Sequence, residues 1–142
     1  MTALTLDTAR AIIKTALEKG GEMGLKPLSV AVLDAGGHLK AFERQDGASL
    51  LRPQIAHGKA YGALALGLGS RAIMNRAEQQ AYFVSAVNAA AGGALVPVPG
   101  GVLIKKDGEI VGAVGVTGDT SDNDEEAAIA GIEAAGLTAD AG

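Results

Sequence analysis

PVPGGVLIKKDGEIVGAVGVTGDTSDNDEE, residues 97–126, decides the architecture. Val102–Ile104 and Ile110–Val116 are apolar runs of strand length, and the Asp107-Gly108 pair between them suits a tight turn that needs positive φ at both central residues. The segment therefore reads as a β-hairpin. Gly100-Gly101 precedes its first strand, and Gly112, Gly115 and Gly118 punctuate the second. Glycine weakens a strand through entropy and missing side-chain packing, so it marks a bulge or a place where a ligand or another backbone comes close. Beyond the hairpin, Ser121 or Asp122 is expected to cap a helix whose acids complement its positive end. The acid spacing does not match an EF-hand calcium loop.

Upstream, Leu6, Ala9, Ile12, Ile13, Ala16 and Leu17 recur at helical spacing, with Thr5 as cap and Gly20, Gly21 and Gly24 near the end. LSVAVLD, a Gly36-Gly37 turn and HLKAFERQ form a second hairpin over residues 28–45. The middle reads as helix over 53–67, with Pro53 in the first turn, then over 70–80 and 82–91. The order is α, ββ, an α-rich middle, ββ, α. Hairpin-connected strands argue for an antiparallel sheet, hence an α+β domain spanning residues 1–142. A short strand at 95–98 is expected to bring the sheet to five, and the residues after Leu137 are expected to be loose.

At 142 residues the chain buries a core without disulfides or structural metal. The absence of cysteine excludes thiol nucleophiles, Cys-ligated zinc or iron–sulfur clusters and Cys-x-x-Cys-His haem attachment. Residues 1–20 thread charges through an apolar pattern, which fits neither a signal peptide nor a membrane span, so a cytoplasmic protein is expected. With a net charge of −4 and no basic stripe, neither nucleic acid nor membrane is an expected partner. Abundant glycine and alanine with scarce aromatics imply close approach between elements and between subunits.

Three ordered motifs carry a resemblance to a known family: AVLDAGGHLKAFERQDGA at 31–48, IAHGKAYGA at 55–63 and PGGVLIKKDGEIVGAVGVTGDTSDNDEEAA at 99–128. Together they resemble the GlcG/HbpS family, the haem-degrading domain family that includes the C-terminal domain of some cobalamin adenosyltransferases. The resemblance implies a profilin-like α/β/α sandwich around a five-stranded antiparallel sheet, assembled as a homo-oligomer. It implies haem as a cofactor in some relatives and a place in catabolic operons for others. Family members commonly carry a hydroxyl residue two positions after the Lys-Ala pair, in a helix associated with haem contact. Gly62 stands there in this chain.

His57 lies among small residues that leave room for a ligand; its neutral imidazole is the candidate metal ligand and proton carrier. Tyr61, four residues on, shares its helical face and is a second candidate for iron approach or proton transfer. Arg44, Arg52 and Lys59 are candidate anchors for carboxylates, whether haem propionates or a small organic acid. Thr117 and the Gly100-Gly101 backbone are candidate hydrogen-bond donors to a ligand oxygen. Asp119 and Asp124 are general bases if buried in a cleft, and otherwise serve capping; His38 is expected to be solvated. Two functions follow: a small-ligand binding protein for haem or a related tetrapyrrole, or a lyase, isomerase or tautomerase acting on an organic acid, with His57 moving the proton.

Overall fold

The computed structural model describes residues 4–142. In chain order they form α1 (Leu6–Met23), β1 (Ser29–Asp34), β2 (Leu39–Arg44), α2 (Arg52–Leu66), α3 (Ser70–Gln79), α4 (Ala81–Ala90), β3 (Gly101–Lys106), β4 (Glu109–Thr117), α5 (Ser121–Ala134) and β5 (Thr138–Asp140). All strand pairs are antiparallel, in the order β2-β1-β4-β3-β5. The α+β sandwich with its five-stranded antiparallel sheet is as the sequence implies. No helix among the described residues is long and apolar enough to cross a membrane.

Helices cover both faces of the sheet, which explains why β1 is buried along almost its whole length. Val30 and Val32 face α1 and α5, in a core with Val102, Ile104, Val114, Val116, Ile12, Ile13 and Ile132. Ala31 and Leu33 face α2, where they meet Ala56, Ala60, Ala63, Leu103 and Ala113. The local signals act as expected at several ends. Thr5 accepts a hydrogen bond from the Thr8 N–H at the start of α1, Gly24 closes α1 in the left-handed region, and Asp107 and Gly108 turn the β3–β4 hairpin at φ 52° and 81°.

Three expectations are corrected. Residues 95–98 are no strand. The Val96 N–H donates to Gly58 O of α2 and the Leu95 N–H to Asn88 Oδ1, while Pro97 and Pro99 lack the donors a ladder needs. The fifth strand is β5, inside the tail expected to be loose; Ala139 pairs with Ile104, and Asp140 binds Lys105 at 2.7 Å. Thr120, and neither Ser121 nor Asp122, caps α5, its hydroxyl accepting from the Asn123 N–H.

The strand glycines mark close backbone approach. A Cβ at Gly115 would collide with the Ala56 carbonyl, and one at Gly101 with the Lys59 carbonyl, so α2 lies directly on β3 and β4. The same closeness recurs where Gly131 of α5 meets Ile12 of α1. Gly115→Ala is accordingly expected to lower the unfolding free energy by about 1–3 kcal/mol or more through overpacking. Gly21→Ala on α1, where an added Cβ meets nothing within 4 Å, is expected to raise it by about 0.5–1 kcal/mol. Urea titrations of both variants check the contrast.

Candidate functional site

A concavity of about 540 Å³ lies between β2, the first half of α2 and the loop that follows α4. Ala31 and Phe42 line it from the sheet, Leu51, Ile55 and His57 from the start of α2, and Val96 from the loop. The volume suits a small-molecule ligand, and the lining is apolar apart from a few groups, chief among them His57. Pro53 in the first turn starts α2 without wasting a donor, and the helical repeat then presents His57 to the groove. The two rings at helical spacing stack, with centroids 5.7 Å apart and planes 15° from parallel. Tyr61 extends from there to the β1–β2 turn, beside Gly37. Among the described residues, no group of three or more His, Asp and Glu side chains is arranged to hold a metal ion.

The three candidate cations separate. Arg44 Nη1 donates to Ala48 O at 3.1 Å, and Arg52 donates through Nε to Ser49 Oγ at 3.1 Å and through Nη1 to Thr117 Oγ1 at 2.7 Å. Lys59 instead points into the α2–sheet contact. It is 2% exposed, with Nζ donating to Val116 O at 3.0 Å and to Asp124 Oδ2 at 3.2 Å. Lys59 is thus committed inside the protein and does not line the groove. The Gly101 N–H donates to Ser70 Oγ, and Gly100 O accepts from the Val116 N–H. With Thr117 itself buried under Arg52, these three residues serve packing and internal hydrogen bonds.

Asp119 accepts from the Lys26 N–H and from Asn123 Nδ2, and these bonds, the Asn123 amide foremost, hold its carboxyl down at about 2. Asp124 caps nothing on its own helix. Its Oδ1 accepts from the Asp119 N–H while Oδ2 takes Lys59, so one carboxylate ties α5 to α2 and to the β4–α5 loop. Burial pulls the Lys59 ammonium down and pushes the Asp124 carboxyl up, and each partner's charge opposes that drift. His38 is exposed beside Asp34. Gly62 is buried, and a Cβ there would meet Leu95 Cγ at 3.0 Å, so this position packs against the loop that follows α4. Sequence reasoning singled out Lys59 and Asp124 separately but missed that they pair, because the two lie 65 residues apart. It also missed Ser29, a fully buried polar residue on β1.

Two predictions follow from these contacts. Lys59→Met leaves Asp124 buried without its counter-charge and is expected to destabilise the protein by about 3–5 kcal/mol, whereas Lys59→Met with Asp124→Leu recovers much of the loss. Equilibrium unfolding of the single and double variants measures the coupling. The Asp119 carboxyl titrates at about 2 in the folded protein against an ordinary 3.8. Its bonds therefore contribute stability above that ordinary value and lose it as pH falls through about 2. Asp119→Asn is expected to flatten that acid limb of the stability curve, as read by thermal melts across acidic pH.

The protein GlcG of Escherichia coli (strain K12) is 34% identical over 118 residues, covering 80% of this chain and 81% of its own. An HbpS double mutant from Streptomyces reticuli superposes with a TM-score of 0.81 at 28% identity, covering 94% of this chain and 88% of that one. A PduOC–heme complex superposes with a TM-score of 0.86, covering 96% and 97%; at 23% identity it shows the shared fold. Residues 4–133 match the family described as haem degrading protein HbpS-like, and the chain belongs to that family.

Proposed function

We propose that the groove beside His57 binds haem or a related tetrapyrrole, with the His57 imidazole as the iron ligand. The single observation that carries this is the placement of His57 on an apolar groove of about 540 Å³ in a chain of the HbpS-like family. Ala31, Phe42, Ile55 and Val96 offer apolar surface to a macrocycle, and Tyr61 stacked on His57 fixes the imidazole plane. Histidine is a common haem axial ligand, and neutral imidazole supplies the lone pair. When bound, the iron would supply the redox or ligand-binding chemistry, while this chain orients the group and shields it from water.

Leu39 and Leu51, which line the groove, stand 56% and 59% exposed, an apolar rim that favours a homo-oligomer. The alternative reading, an enzyme acting on a small organic acid, draws its support from Arg52 at the start of α2 and Arg44 at the end of β2.

A haemin titration followed by absorbance tests the proposal. A saturable Soret shift at one haemin per chain, lost or moved in His57→Ala while the circular dichroism is unchanged, is the expected result. Binding that never saturates, or an identical spectrum in the variant, removes His57 as the ligand.

A further inference from the structure

The helical middle of the chain is fastened unevenly. α3 is held at its first turn, where Ser70 Oγ accepts from the Gly101 N–H at 2.7 Å and Arg71 Nε donates to Glu125 of α5 at 3.0 Å. α4, directly after it, packs against α3 and, among the described residues, against no other helix or strand. Val84 is its single buried residue, while Tyr82, Ser85, Ala86 and Ala89 are exposed. Phe83, Val84 and Val87 belong to a small cluster with Ile73 and Leu95, separate from the two cores that flank the sheet. An element with so few buried apolar contacts opens at a lower free energy than the core beside it.

Both ends of α4 provide a place to bend. Gln80, between α3 and α4, leaves helical geometry at φ −139° and ψ 64°. At the other end Gly92 and Gly93 both take positive φ, 73° and 83°, with open space where a Cβ would stand. One left-handed residue is enough to close a helix, so the second supplies freedom at the exit. Beyond the glycines the chain is fixed again, because the Val96 N–H donates to Gly58 O of α2 at 3.2 Å and Pro97 and Pro99 stiffen the run into β3. A single bond spans the glycines. Asn88 Oδ1 accepts from the Leu95 N–H at 3.0 Å, the one side-chain hydrogen bond of α4 among the described residues, and it ties the end of the helix to the anchored loop. Gly92, Gly93 and Ala94 line the groove, so a swing of α4 about its two ends moves that wall.

We propose that α4 is a lid on the groove, swinging as a unit between Gln80 and Gly92-Gly93 and held shut by the Asn88–Leu95 bond, while α2, α3 and the sheet stay in place. The inference rests on the groove being the ligand site, but the opening itself needs no ligand. Hinges of this kind are a few residues at element ends that absorb the change in backbone angles.

The chain has no cysteine, so one introduced thiol reports one position. Val84→Cys places it beneath the lid and Val114→Cys in the sheet, and the labelling rate of each with an aromatic disulfide reagent reads how often that position opens. In the full chain without ligand, Val84→Cys is expected to label at least about a hundredfold faster than Val114→Cys. Adding Asn88→Ala is expected to speed labelling at Val84→Cys about three- to tenfold, the worth of one hydrogen bond, and to leave Val114→Cys unchanged. Asn75→Ala, at an exposed position of α3, makes the same change in helix propensity and is expected to leave both rates as they were. Equal labelling at the two positions, or an Asn88→Ala effect shared by both, overturns the lid. A second measurement needs no thiol. Haemin association, followed at the Soret band, is expected to quicken in Asn88→Ala by that same factor, because entry scales with the open fraction; an unchanged association rate overturns the lid as the entrance. Haemin that does not bind rejects the tetrapyrrole reading, and the two thiol rates then decide the lid.

Discussion

Backbone contact between α2 and the sheet is the constraint on which the other features depend. Gly101 and Gly115 let the carbonyls of Lys59 and Ala56 approach β3 and β4 to a distance no side chain permits. A helix seated that low leaves no thickness for large residues along its inner face, which is why Ala56, Ala60 and Ala63 make up so much of that layer. It also traps Lys59. The long side chain finds no route to solvent and ends against Val116 O and Asp124. Burying such a pair is weak support for stability in itself. Its effect is to make the seating specific, because a shift of α2 along the sheet would strand both charges.

The groove follows from the same seating. The loop after α4 packs against Gly58 and Gly62 on the outer side of α2, and β2 extends past the helix on the other. The space between is walled by Phe42, Ile55 and Val96 and reached by the His57 imidazole. Apolar wall and imidazole thus share one cleft, although they come from three segments of the chain.

Much of the fold was legible because its signals are local. The Asp-Gly turn, the Thr5 cap and Pro53 each act within a few residues. What the sequence concealed is non-local. β5 has only three residues and a polar pattern, and it becomes a strand because β3 offers an open edge with Lys105 waiting for Asp140. Residues 95–98 carry strand-like side chains, yet their amide partners belong to α2 and Asn88. The site was legible only in part: His57 falls on the groove, whereas the candidate cations Arg44, Arg52 and Lys59 separate. The fate of Lys59 and the isolation of the Ser29 hydroxyl depend on burial and register, which composition does not encode.

The enclosed ammonium of Lys59 also bears on reactivity. An amine that donates to a carbonyl and a carboxylate, sealed beneath a helix, has neither the free lone pair nor the access that acylating reagents require. The remaining lysines sit where water reaches them, so in the native protein they would react and Lys59 would not. Its acylation needs α2 to lift from β4, and the rate at which that single amine is labelled becomes a clock for the opening of this layer, separate from global unfolding whenever the sheet survives the event.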